Sequence, residues 1–128
     1  MNLILISHGD FATGLLGTAE MILGKIPHAH TVCLYPHEGS DDFKAKFEQA
    51  LAKCQGETVV LCDILGGTPC NVAMRFLTNP ELSLYSGMNL PMVISFVSEG
   101  KDDLIENAQQ QIYDVRAQLQ AVQAGDDE

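Results

Sequence analysis

The stretch Thr58-Val59-Val60-Leu61-Cys62-Asp63-Ile64-Leu65-Gly66-Gly67-Thr68-Pro69 decides how this chain folds. Thr58 to Asp63 is continuously apolar until it reaches the carboxylate, the pattern of a strand covered on both faces. Gly66 and Gly67 turn the chain and Thr68 offers a helix cap. Pro69 suits the first helical turn, where a missing N–H costs nothing. The segment therefore predicts strand, turn and helix, the helix running to about Leu77. Flanking segments repeat the alternation. Leu3 to Ser7 reads as a buried strand, and Phe11 to Leu23 as a helix with Ala12, Leu15, Leu16, Ala19, Ile22 and Leu23 at helical spacing. Thr31 to Tyr35 is a second strand. Ser40 then caps a helix with Asp41 and Asp42 in its first turn and a stripe of Phe43, Phe47, Ala50, Leu51 and Cys54.

Leu82 to Ser86 reads as a fourth strand, and Gly87-Met88-Asn89 leads into a helix around Pro91 to Val97. Lys101 to Gln123 reads as one long helix. Its seam of Ile105, Ala108, Ile112, Val115, Leu119 and Val122 suits packing on the sheet or on another subunit. Gly125 to Glu128 is expected to be a frayed acidic tail, leaving residues 1–124 as a single domain. Strands alternating with helices imply an α/β fold in three layers: an open, mainly parallel sheet of about four strands with helices on both faces. In such sheets the site gathers at the carboxyl ends of the strands, where strand order reverses. Four polar or glycine-rich loops fall there: Ser7–Asp10, Pro36–Gly39, Asp63–Pro69 and Ser86–Asn89.

Composition narrows the function. With 46% hydrophobic residues in 128, the chain is too apolar for disorder throughout. Its 17 Asp and Glu against 7 Lys and Arg give a formal charge of -10, which excludes a basic groove for nucleic acid. Neutral or basic proteins, or small molecules held by local dipoles, are the expected partners. Cys33, Cys54, Cys62 and Cys70 lie far apart and form no close metal or redox pair, so reduced thiols and a cytoplasmic home are expected. The apolar amino terminus has no Lys or Arg before it and stops at His8-Gly9-Asp10, unlike a signal peptide or a membrane span.

His8 follows a buried strand directly, so its imidazole emerges at the top of the sheet. Alone it is equally a histidine satisfying loop hydrogen bonds. Asp63 ends a second strand of the same sheet and should lie near it. A carboxylate accepting from one imidazole N–H fixes the tautomer and leaves the other nitrogen's lone pair free, which prepares a nucleophile. Asp63 could instead be a turn-former. Gly66 and Gly67 allow close backbone approach, and with the Thr68 hydroxyl and the following N–H groups they could hold a phosphoryl group without Lys or Arg. An ordinary strand-to-helix turn would read the same way. No Lys-Ser or Lys-Thr follows the glycines, so this is no nucleotide P-loop. His28, His30 and His37 match no metal-ligand spacing, though His37, at a strand end, could line the site. Ser7 and Ser86 lack the Gly-x-Ser-x-Gly elbow of serine hydrolases.

These segments together resemble the mannose-class enzyme IIA proteins of the bacterial phosphoenolpyruvate-dependent sugar phosphotransferase system. The resemblance is carried by Ser7-His8-Gly9 with Ala12, Gly14 and Thr18–Gly24, by Asp63 with Gly66-Gly67-Thr68-Pro69 and Asn71, and by Gly87–Met92. It spans residue 1 to about 100. It implies that His8 takes a phosphoryl group from the histidine-containing phosphocarrier protein and passes it to a histidine of enzyme IIB. Sugar uptake then proceeds through the membrane components IIC and IID. It further implies that Asp63 orients His8, that Thr68 stands beside the phosphoryl group, and that the protein is a homodimer with neither cofactor nor metal. Some relatives exchange a carboxyl-terminal strand, whereas this chain reads there as helix. Three other readings are weaker. A phosphocarrier for a dihydroxyacetone kinase usually lacks the Gly-Gly-Thr-Pro turn. A regulatory domain of the same fold would be expected with a fused DNA-binding or ATPase segment. A flavodoxin-like module would need a flavin loop.

Overall fold

The computed structural model describes residues 1–126. Four strands, β1 (Asn2–His8), β2 (Ala29–Leu34), β3 (Thr58–Cys62) and β4 (Leu82–Ser86), form one wholly parallel sheet in the order β2-β1-β3-β4. The helices between them are α1 (Phe11–Leu23), α2 (Ser40–Ala52) and α3 (Thr68–Met74); α4 (Leu90–Glu99), α5 (Leu104–Gln109) and α6 (Val115–Asp126) follow β4. The three-layer arrangement read from the sequence is the one found.

The continuous apolar runs explain it. Successive side chains of a strand point to opposite faces, so a strand covered on both sides needs an apolar residue at every position. Leu3 and Leu5 of β1, with Val59 and Leu61 of β3, pack beneath α1, α4 and α5. Ile4 and Ile6, with Val60 and Cys62, pack against α2 and α3 around Phe43 and Phe47. Each such side chain contributes about 1.5–3 kcal/mol on burial. From β1 the chain steps outward to β2 over one face, then returns across β1 to β3 over the other. That reversal puts the switch point between β1 and β3. Asn2 locks their register: its buried amide donates to the carbonyls of Gln55 (2.9 Å) and Glu57 (3.1 Å).

Several boundaries differ from the sequence reading, each for a local reason. Gly39 and Gly67, not Ser40 and Thr68, occupy the cap positions of α2 and α3. At α2 the Asp42 carboxylate reaches back to the Gly39 N–H (2.9 Å). The last turn of α1 leaves Ile22 and Leu23 exposed, its buried stripe ending at Ala19. α3 stops at Met74 rather than Leu77, because the turns that follow lay Phe76 edge-on against Phe47 at 5.2 Å. The long helix expected over Lys101–Gln123 is broken. α5 buries Leu104 and Ala108, the chain then leaves the core, and Asp114 starts α6 by accepting the Ala117 N–H (3.2 Å). Of the expected seam only Ala108 is buried; Ile112, Val115, Leu119 and Val122 are exposed. α6 continues through Gly125 to Asp126, where the frayed tail was expected, and residues 127–128 lie outside the described region.

Candidate functional site

His8 ends β1 and Asp63 directly follows β3, the two strands that flank the switch point. Their register pairs Ile6 with Cys62, so Asp63 falls level with Ser7 and one residue short of His8, within reach of the His8 N–H and ring. Asp63 Oδ2 accepts both the His8 backbone N–H (2.9 Å) and a bond from the His8 ring at Nδ1 (2.8 Å). Its other oxygen, Oδ1, accepts the Ile64 N–H (2.9 Å). Partial burial alone would push the Asp63 carboxyl up, yet the donors from His8 and Ile64 outweigh it and hold the carboxyl below its ordinary value. Asp63 is therefore a carboxylate near neutrality and can only accept, so in the neutral imidazole Nδ1 carries the proton and the lone pair is on Nε2.

The Cε1–Nε2 edge of the ring lies against Gly67. A β-carbon at Gly67 would sit 2.6 Å from His8 Cε1 and 3.2 Å from Nε2. Gly67 has ordinary extended φ, so what the site uses here is the missing side chain. Gly66 differs, with φ at +90° and open space around it, and turns the chain. Its carbonyl accepts from Asn71 Nδ2 (3.3 Å). Thr68, half-buried, opens α3. Half of the His8 side chain is exposed against 14% for Asp63. Two surface grooves of about 340 Å³ each are lined by neither residue. The imidazole is thus half exposed at the carboxyl end of the sheet.

A family model described as the phosphotransferase system fructose IIA component matches residues 2–113. The chain belongs to this family. A fructose-specific EIIA component of Bacillus subtilis is 32% identical over 101 residues, covering 77% of this chain and 69% of that protein. The mannose-specific EIIAB component of Escherichia coli K12 is 32% identical over 104 residues, covering 79% of this chain. The chain spans only about a third of that longer relative, 32% of its length. A IIA protein associated with the fucose utilization operon of Streptococcus pneumoniae superposes with a TM-score of 0.82 at 32% identity, covering 92% of this chain and 95% of that one.

In this IIA component, sequence reasoning missed several bonds made by the segments that follow β1 and β2. Ser7 is fully buried; its Oγ accepts the Ala12 N–H (2.7 Å) and donates to the Gly9 carbonyl (3.3 Å), bracing the loop behind His8. The spacing fits no common cap, so only coordinates reveal it. Gly9 takes φ +54° and donates to the Leu34 carbonyl (2.7 Å), extending the β1–β2 ladder. The Tyr35 hydroxyl donates to Asp10 (2.8 Å), and this bond foremost pushes the phenol up to about 12. Lys46 bonds Glu38 (2.8 Å) and the Cys33 carbonyl and stands 5.0 Å from the Tyr35 ring centre. His37 is exposed in the turn after β2, and no hydrogen bond joins it to His8 or Asp63 among the described residues. Among those residues, no group of three or more His, Cys, Asp or Glu is arranged for a metal, and no helix is long and apolar enough to cross a membrane.

Proposed function

We propose that this IIA component carries phosphoryl groups on His8 Nε2, receiving them from the histidine-containing phosphocarrier protein and passing them to a histidine of enzyme IIB. The observation that carries the reading is the 2.8 Å bond between Asp63 Oδ2 and His8 Nδ1, with Nε2 left free beside Gly67. The Nε2 lone pair attacks phosphorus, the donor's P–N bond breaks, and the donor ring, a phosphoimidazolium protonated at its other nitrogen, leaves as neutral imidazole with the bonding electrons. The acceptor ring keeps its Nδ1 proton and becomes the phosphoimidazolium, whose positive charge faces Asp63. Protons balance without a base, and the step reverses onto the next carrier by the same route. A loose transition state of this kind asks the protein for alignment and charge stabilisation above all.

Gly66, Gly67 and Thr68 act as the cradle for the transferred oxygens, with no cofactor or metal. Delivery to enzyme IIB feeds sugar uptake through the membrane components IIC and IID, and the carrier works in the cytoplasm as a homodimer. With the phosphoenolpyruvate cascade reconstituted, wild-type protein is expected to take one label per chain and His8→Ala none, the variant keeping its circular dichroism spectrum. Label on His8→Ala overturns the assignment.

A further inference from the structure

Asp10 stands at the N-cap of α1, where an aspartate ordinarily turns its carboxylate onto the first N–H groups of its own helix. Here it accepts none of them. Ser7 Oγ has taken the Ala12 N–H (2.7 Å), and Asp10 Oδ1 accepts the Tyr35 hydroxyl instead (2.8 Å). The donor of that bond is anchored. Its ring packs half-buried against the core layer that holds α1, its backbone N–H is bound by Glu38 (2.8 Å), and Lys46 Nζ lies 5.0 Å from the ring centre. The phenol, pushed up to about 12 chiefly by this bond, keeps its proton at neutral pH. What the bond fixes is therefore the carboxylate.

The strand order tells where it is held. His8 ends β1, with β2 on one side and β3 on the other. Tyr35 follows β2, whereas Asp63 and the Gly66–Thr68 turn follow β3. The Gly9 N–H, bonded to the Leu34 carbonyl (2.7 Å), carries the chain from His8 towards β2, and Tyr35 draws the Asp10 side chain the same way. The Nε2 edge of the His8 ring lies on the opposite side, against Gly67. Released from Tyr35, an exposed carboxylate two residues from His8 would be free to approach an incoming group that is itself negative. The loops Ser7–Asp10 and Asp63–Pro69 contain no Lys or Arg to offset such repulsion.

We propose that Tyr35 is a positioning residue for phosphoryl transfer: by holding Asp10 on the β2 side of His8, it keeps that carboxylate away from the phosphoryl oxygens arriving at Nε2. The proposal rests on His8 as acceptor. Tyr35 acts through Asp10, so the defect caused by its loss depends on the charge at residue 10.

The test follows single-turnover labelling by the phosphorylated histidine-containing phosphocarrier protein over a range of donor concentrations. It uses the full chain as wild type, Tyr35→Phe, Asp10→Asn and the double variant, each shown folded by circular dichroism. Tyr35→Phe keeps the ring and frees the carboxylate, and is expected to lower the saturating rate about fivefold, the scale of one exposed charge contact. Asp10→Asn keeps an acceptor for the phenol without the charge, and should transfer no slower than wild type. The double variant, with no charge left to hold away, should recover the saturating rate, which a merely structural role of the phenol would not allow. An unchanged rate in Tyr35→Phe overturns the proposal. So does a double variant as slow as Tyr35→Phe, because the phenol then acts on the shape of the loop. A slow Asp10→Asn also overturns it, since the carboxylate then assists transfer. A loss seen only in the donor concentration at half-maximal rate does the same, by assigning Tyr35 to docking. Label on His8→Ala refutes His8 as acceptor and the proposal with it, whereas the other outcomes leave that assignment standing.

Discussion

Gly67→Ala separates alignment of the histidine from stability of the fold. The backbone at Gly67, φ -87° and ψ 168°, is one that alanine adopts freely, so the substitution introduces no backbone strain. The added methyl instead meets His8 Cε1 at 2.6 Å, closer than carbon atoms pack, and Nε2 at 3.2 Å. The ring is half exposed and can swing outward, whereas the loop under Gly67 is held by α3. Relief of about 1 Å therefore comes from the imidazole, at the expense of the 2.8 Å bond to Asp63. Misplacing a reacting group by that distance costs about a hundredfold in rate, equivalent to about 2.7 kcal/mol of barrier.

Stability should hardly change. Alanine narrows the unfolded ensemble by about 0.4–1 kcal/mol in the protein's favour, which offsets most of the crowding at a mobile ring. Gly66→Ala is the control with the opposite signature. At φ +90° with open space around it, it should cost about 1–2 kcal/mol of stability and leave the His8–Asp63 bond in place. The assay pairs single-turnover labelling of His8 with a urea unfolding curve for both variants. Wild-type transfer by Gly67→Ala, or a loss that merely follows its unfolding midpoint, would refute the reasoning.

Asp63→Asn keeps an acceptor for only one of the two backbone N–H groups, sets an NH2 against the other and loses the carboxylate, so transfer should fall about a hundredfold or more; rapid-quench labelling checks this. The Asp63 carboxyl is lower in the folded chain than its ordinary 3.8. Its contribution to stability is therefore present above that value and lost as pH falls through the folded one, and Asp63→Asn should flatten this part of the acid unfolding profile. Tyr35 should ionise at about 12 by ultraviolet titration in a Tyr85→Phe, Tyr113→Phe background. Asp10→Asn should bring it down towards 10.0, the main cause being removed. Phe47 is fully buried, stacked on Phe43 at 6.3 Å and met edge-on by Phe76, so Phe47→Ala should cost about 3–5 kcal/mol by urea unfolding.

The sheet was legible because a strand buried on both faces has to be apolar at every position, and Leu3–Ile6 and Val59–Cys62 are. His8 and Asp63 were legible for a related reason: polar residues that end such runs emerge at the same edge. What the sequence concealed depends on contacts made elsewhere in the fold. Thr68 is the better intrinsic cap, yet Gly67 takes the position because the His8 ring fills the space that any side chain there would need. Apolar periodicity past Lys101 suggested one helix, since a run of Ile, Ala, Val and Leu cannot show that Leu104 and Ala108 turn inwards while Val115 and Leu119 stay out. Asp114, a capping residue in mid-run, was the available signal.

The geometry also bears on how a carrier can both accept a phosphoryl group and release it. A carboxylate facing only the imidazole would stabilise a phosphoimidazolium strongly and slow the next transfer. Here the Asp63 carboxylate is shared among three N–H groups, two of them backbone donors whose positions are fixed by β1 and by the loop after β3. Those fixed donors draw on the carboxylate's charge and, together with the bond from the ring itself, hold the carboxyl below its ordinary value; the charge they take up leaves the carboxylate a weaker hold on positive charge in the ring. The same two bonds prevent the carboxylate from turning away when the ring is neutral. Alignment and moderate charge stabilisation thus come from one arrangement of strand ends. Because Asn2 sets the β1–β3 register at the opposite end of the strands, a slip of one residue there would remove the ring from its partner and abolish both properties together.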